Sequence, residues 1–214
     1  MTTKPYDDSV DYIQDELSRY LPARAARIST ERQIREMSQP APDEKTVGEK
    51  ERVVQKEMER RVHNYHLQEK QIRDEIDARL QVTREAVGEP GFALDLLNGG
   101  LDFDARLVLL TLTASALGVT ENSLAEIGMS FYGTACVDDL MTMLNVKTII
   151  DRLRVRKLLW DLTGQGLIVL NFPSKDFSPE DFNSVSVSIS RRAFAVILDD
   201  PSLLDEGVTS KETH

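Results

Sequence analysis

The sequence has one cysteine, Cys136, among its 214 residues. That excludes an intrachain disulfide framework and any zinc site built on several thiolates. Aromatic residues make up only 6%, and no apolar run approaches the ~18 residues that suggest a membrane span. The opening stretch MTTKPYDDSVDYIQDE carries no apolar signal core, so a cytoplasmic protein without membrane contact is expected. Histidine is also scarce, with three copies. Against these absences stand 41% hydrophobic and 29% charged residues. That balance suits a largely helical protein of one or two domains, part of which stays outside the core.

Acidic residues outnumber basic ones by 36 to 26, for a net charge of −10, and the excess is uneven. Residues 91–145 hold a single base, Arg106, against seven acids, whereas residues 146–193 hold eight bases against five acids. Two readings stand: a polarised surface that steers a partner, or an ordinary solvated charge pattern.

Residues 1–48 contain four prolines and two short amphipathic stretches, 10–20 and 25–37. In the first, Val10, Ile13, Leu17 and Tyr20 recur at helical spacing. Such short helices bury little by themselves, so this arm is either mobile or docked on something. Residues 49–91 centre on one long amphipathic helix, 49–87, closed by Gly88-Glu89-Pro90-Gly91. Its coiled-coil-like stripe is Val54, Met58, Val62, Tyr65, Ile72, Ile76, Leu80, Thr83 and Val87, with Glu69 in the expected gap. Glu69 and Arg79 on the seam argue against a long dimeric zipper. A hairpin with the N-terminal arm and docking on a partner both account for the stripe.

Residues 92–202 read as a compact domain, followed by a tail, 203–214. Asp102 or Asp104 caps the most apolar helix, which ends at Gly118. Thr120 caps a short helix, and two more run over 137–144 and 146–162 with Asn145 between them. Then the period changes. Leu167 to Leu170 is a short strand, and Val185, Val187 and Ile189 alternate on a second. A last helix, 191–198, stops at Asp200-Pro201. Helices, a hairpin and a closing helix make a winged-helix order, with 171–183 as the wing. The expected fold class is therefore mainly α with a small β-hairpin: a winged-helix domain preceded by a long helical arm.

Residues 137–171 resemble the winged-helix region that precedes the ATPase module in a group of prokaryotic AAA+ proteins. The likeness rests on Arg152-Leu153, Val155-Arg156-Lys157-Leu158-Leu159 and Gly166-Leu167-Ile168, and extends over 92–202. It implies service to a larger machine. The sequence departs from that group in having neither a G-x-x-x-x-G-K-[ST] loop nor an acidic Walker B strand, so no ATP hydrolysis by that mechanism is expected.

Other candidate chemistry is thin. Gly48 and Lys50 lack the first glycine and the hydroxyl of a phosphate loop, and Gly164-Gln165-Gly166 is followed by a strand where dinucleotide binding needs a helix. His63 and His66 stand at i and i+3 without further ligands, so no metal site is expected. Cys136 has no nearby base and reads as a small packed side chain. Asp138 and Asp139 open a helix, where carboxylates complement its dipole. Leu140, Met141, Met143 and Leu144 read as core. No cofactor and no enzymatic activity are expected.

The basic set Arg152, Arg154, Arg156, Lys157, Arg191 and Arg192 is the feature with functional potential. Bases of this kind neutralise phosphates in DNA-binding winged helices, yet the helices before them are acidic and Lys175 is the only base in the wing loop. An acidic protein surface or internal pairing suits them better. The expected function is a non-catalytic interaction or adaptor module that docks on, or recruits clients to, an assembly such as an AAA+ ATPase. The alternative is a nucleic-acid-associated winged helix or an accessory subunit of an SMC-type complex. A protein partner is expected, DNA is not favoured, and a homo-oligomer is a further partner class.

Overall fold

A computed structural model describes residues 3–38, 49–87, 100–118, 135–173 and 179–205. The N-terminal half holds α1 (Ser9–Asp15), a π turn (Glu16–Tyr20), α2 (Leu21–Met37) and α3 (Glu49–Val87). Then come α4 (Phe103–Ala116), β1 (Ala135–Cys136), α5 (Val137–Met143), α6 (Ile149–Gly164), β2 (Ile168–Asn171) and a 3-10 helix (Pro179–Ser184). β3 (Ser186–Ile189), α7 (Arg191–Leu198) and α8 (Ser202–Asp205) complete the described order. The three strands form one antiparallel sheet in the order β1-β3-β2. Mostly helical with a small sheet, this is the architecture expected of a winged helix.

The two short stretches expected in the arm are one helical run from Ser9 to Met37. Pro22 is what suggested a break, because its ring clashes with the carbonyl four residues back and it has no N–H. Here a π turn precedes it, with the Leu21 N–H donating to the Glu16 carbonyl. That wider turn lets the chain resume as α-helix with proline in its first turn.

α2 lies along α3, so the arm and the long helix make a hairpin. α3 has the bounds predicted by its helical periodicity and its lack of Gly and Pro. At 1.5 Å per residue its 39 residues span roughly 58 Å. Burial divides its stripe: Ile72, Ile76 and Leu80 are buried and Met58, Val62 and Tyr65 half-buried, whereas Val54 is 48% exposed.

α4 is the centre of the molecule. Asp102 caps it by accepting from the Ala105 N–H at 2.7 Å, and Gly118 follows its end at φ +67°. Every residue from Leu107 to Ser115 is buried. Thr111 and Thr113 survive there because their hydroxyls donate to the carbonyls of Leu107 and Leu109, at 2.7 and 2.8 Å. One hydrophobic cluster runs from Tyr6, Tyr12 and Leu21 through Ile76 and Leu109 to Leu140, Leu159, Val187 and Ile197. The arm thus shares its core with the winged-helix half.

Three small elements were not anticipated, one of them the 3-10 helix Pro179–Ser184, which begins inside the expected wing loop 171–183. β1 is only two residues long and is recognisable only by its pairing, Ala135 with Val187 and Cys136 with Ser186. α8 follows the left-handed Asp199 (φ 54°) and Pro201. The helix expected after Thr120, the Gly88–Gly91 stop and the middle of the wing loop lie outside the described residues.

Candidate interaction surface

Two constellations stand out, one buried and one exposed. The buried one is a row of carboxylates from the arm and α3, each met by arginines from another element. Glu16, in the π turn, is fully buried. Arg73 from α3 donates to both its oxygens, at 2.8 and 3.1 Å, while Arg106 from α4 and the Tyr12 hydroxyl donate to Oε1. Burial and the Glu16 charge push the Tyr12 phenol far above its usual range. Burial alone would pull Arg73 down, but the Glu16 carboxylate holds its guanidinium above the ordinary arginine range.

One helical step along, Glu69 of α3 accepts from Arg24 at 2.9 Å and from Arg27 of α2. Arg24 also donates through Nε to the Met143 carbonyl at 3.0 Å and lies over the Phe103 ring. A single side chain thereby ties α2 to α3, α4 and α5. At the other end, Arg79 donates to Asp11 and Asp15 at 3.0 and 2.8 Å and packs 3.8 Å from the Tyr6 ring centroid. Glu69 and Arg79, the two seam residues that spoke against a zipper, are thus the ones the arm reads. With the Glu16 oxygens all engaged and closed to solvent, the row clamps the hairpin.

Burial raises the Glu69 carboxyl, but the Arg27 hydrogen bond and the Arg24 charge outweigh it and leave it below the usual carboxylate range. Glu31 behaves likewise, with burial opposed by Arg27 and Asn145. A depressed folded-state value means that the unfolded chain binds more protons in the acid range, so stability rises with pH there. The contribution is fully present above the unfolded carboxylate value of about 4.3 and is lost as pH falls through the folded value. Urea midpoints measured across the acid range should fall below that point, and Glu69→Gln should flatten the fall. An equally steep acid limb in the variant would refute the assignment.

The exposed constellation is on α6. Thr148 and Asp151 form a capping box that starts the helix, with the Thr148 hydroxyl 2.7 Å from the Asp151 carboxylate. Val155, Leu159 and Leu162 are buried and hold one side of α6 in the core. The opposite side is apolar too: Ile149 is 78% exposed, Ile150 64%, Leu153 61% and Trp160 47%. The Trp160 ring stacks on Phe172, which follows β2, at 6.1 Å between centroids. Ile149, Leu153 and Trp160 are four and seven residues apart, one line along a helix.

This exposed line was not singled out in the sequence. Its signal is that the apolar residues of α6 recur on two opposite faces, where one core contact needs a single face.

The bases fall around that line. Arg152, Arg154 and Lys157 are exposed and Arg156 is half-buried, 4.6 Å from the Phe182 ring centroid. Arg191 and Arg192 are exposed in the first turn of α7, a helix that packs on α1, whereas α6 packs on β2. The first four predicted residues therefore share one helix and the last two stand on another. Among the described residues, the only ion pair made by any of the six is a long one of 3.9 Å from Arg154 to Asp151.

The other candidates resolve simply. His63 and His66 are exposed on α3, and no metal-binding group is found among the described residues. Cys136 is half-buried, and burial pushes its thiol up. The Asp139 carboxylate accepts from the Cys136 N–H at 2.8 Å and so caps α5. Gly166, at φ +70°, turns the chain from α6 into β2. A groove of about 610 Å³ between α2 and α3 is lined by Ser18, Arg19, Tyr65, Gln68 and Glu75, among others. Its one arginine is already paired with Glu75 and Asp15.

Among the described residues no helix is long and apolar enough to cross a membrane. A family model described as "Winged helix domain, variant" matches residues 1–210. The match takes in the arm and α3 as well as residues 92–202. No curated protein and no solved structure matches the chain.

Proposed function

Because this chain belongs to the winged helix domain family in its variant form, we propose that it is a non-catalytic interaction module that docks on a protein through α6. The observation that carries this reading is the solvent-facing line Ile149, Leu153 and Trp160. A helix that reads duplex DNA presents hydrogen-bond donors and acceptors to base edges. This one presents branched aliphatic side chains and an indole, which gain most when another apolar surface covers them. Tryptophan and arginine together are the residue types that dominate binding energy at protein interfaces.

The partner is in this reading a subunit of a larger assembly, and the AAA+-type pattern over residues 137–171 makes an ATPase the first one to seek. The arm and α3 brace the winged half, fixed to it by the arginine–carboxylate row. The nucleic-acid reading keeps one supporting observation, the exposed bases Arg152, Arg154 and Lys157 of α6. The two separate cleanly in a recovery experiment. Tagged chain is captured from its native extract with and without nuclease, beside a Leu153→Asp, Trp160→Ser variant. A stoichiometric protein that survives nuclease and is lost with the variant is the expected result. Recovery of nucleic acid alone, indifferent to the variant, would refute it.

A further inference from the structure

We infer that the occupant of the α6 face is an amphipathic helix whose apolar side is edged by aspartate and glutamate. The inference rests on the protein-docking reading and adds the partner's chemistry. Its first support is shape. From Ile149 to Trp160 the line covers twelve residues, and the eleven rises between them span roughly 16 Å of helix, the length of about three turns of a partner. Phe172 stacked on Trp160 closes the far end with a second ring. An amphipathic helix supplies a matching line at spacings of three and four.

The second support is charge. At 100° per residue, Arg152 and Arg156 fall on one flank of the line, and Lys157 and Arg154 on the other. Of the two acids of α6, Asp151 is held in the N-terminal cap by Thr148, and Asp161 lies beyond Trp160 at the far end. No ion pair engages Arg152, Arg156 or Lys157 among the described residues, and that of Arg154 is long. Arg156 is also engaged with the Phe182 ring, which leaves Arg152 on one flank and Lys157 on the other as exposed bases without an ion pair among the described residues. An apolar line flanked by such bases selects acids at the rim of whatever covers it. A second copy is disfavoured by the same count, since two α6 faces would set base against base.

The test uses the full-length chain and a displayed library of helical peptides with randomised surface positions. The library is panned on the chain and counter-panned on the Leu153→Asp, Trp160→Ser variant. The expected clones carry apolar residues at i, i+3 or i+4, and i+7, with Asp or Glu beside them. Their binding should shift the emission of Trp160, the only tryptophan in the chain. It should weaken about tenfold or more when the peptide's acids are reversed to Lys, or when the chain carries Arg152→Glu with Lys157→Glu. The charge-reversal pair leaves the apolar line intact, so it tests the inference independently of any folding defect in the first variant.

Clones that need Leu153 and Trp160 but are neutral or basic would overturn the acidic helix and leave the docking reading standing. If no clone depends on that line, and a labelled duplex of about 20 base pairs binds with a steep salt dependence that Arg154→Glu abolishes, both fall.

Discussion

Glu16→Gln is expected to lower the unfolding free energy by about 3–5 kcal/mol, the range for breaking a buried ion pair by removing one partner. The substitution keeps the shape of the side chain and deletes its charge. It leaves Arg73 and Arg106, with side chains only 16% and 13% exposed, facing a neutral amide. Neither guanidinium escapes by deprotonation, since arginine stays charged at any pH the fold survives. The Tyr12 hydroxyl also loses its charged acceptor. Urea unfolding followed by far-UV circular dichroism measures the loss. Adding Arg73→Met should recover part of it, because the second change removes one of the buried guanidiniums that Glu16 had balanced. A Glu16→Gln variant within about 0.5 kcal/mol of the parent, the span of an ordinary surface substitution, would show that Glu16 is not buried against those arginines.

How far the sequence disclosed this arrangement differs by element. α3 and α7 were legible to the residue. α3 has no Gly or Pro before a Gly-Glu-Pro-Gly stop, and α7 runs over 191–198 to its stop at Asp200-Pro201. The hairpin strands were legible because Val185, Val187 and Ile189 alternate. β1 was not, since two residues carry no period and exist as a strand only through β3. The continuity of the arm was hidden by Pro22, whose local meaning is a break unless a π turn precedes it.

The site divides the same way. Its bases were visible as a run on one helix, because charge is a property of the residue. The exposure of Leu153 and Trp160 was not, because it depends on which of two apolar faces the core takes. Glu69 and Arg79 were visible as anomalies on an apolar seam. Their partners Arg24, Arg27, Asp11 and Asp15 lie 42 to 68 residues away, beyond the reach of any local pattern.

Ile76→Ala, in the long helix, and Leu109→Ala, in the central helix of the winged half, are each expected to cost about 2–5 kcal/mol. Both are meant to move the same single transition. Each side chain is fully buried, and each truncation leaves a cavity that close-packed neighbours only partly refill. The stronger content is the coincidence. Ile76 and Leu109 belong to one continuous cluster, and Glu16 is bridged to both α3 and α4 by arginines. The arm therefore has no separate core to melt.

Two probes distinguish the alternatives. Circular dichroism is weighted towards α1, α2 and α3, while the emission of Trp160 reports on the winged half. Coincident urea curves in the parent, shifted together by either substitution, are the signature of one cooperative unit. Two resolved transitions, with Ile76→Ala moving only the dichroism curve, would mean that the arm folds apart from the winged half. In that case the arginine–carboxylate row would join two domains, and the docking face on α6 would be carried by the winged half alone.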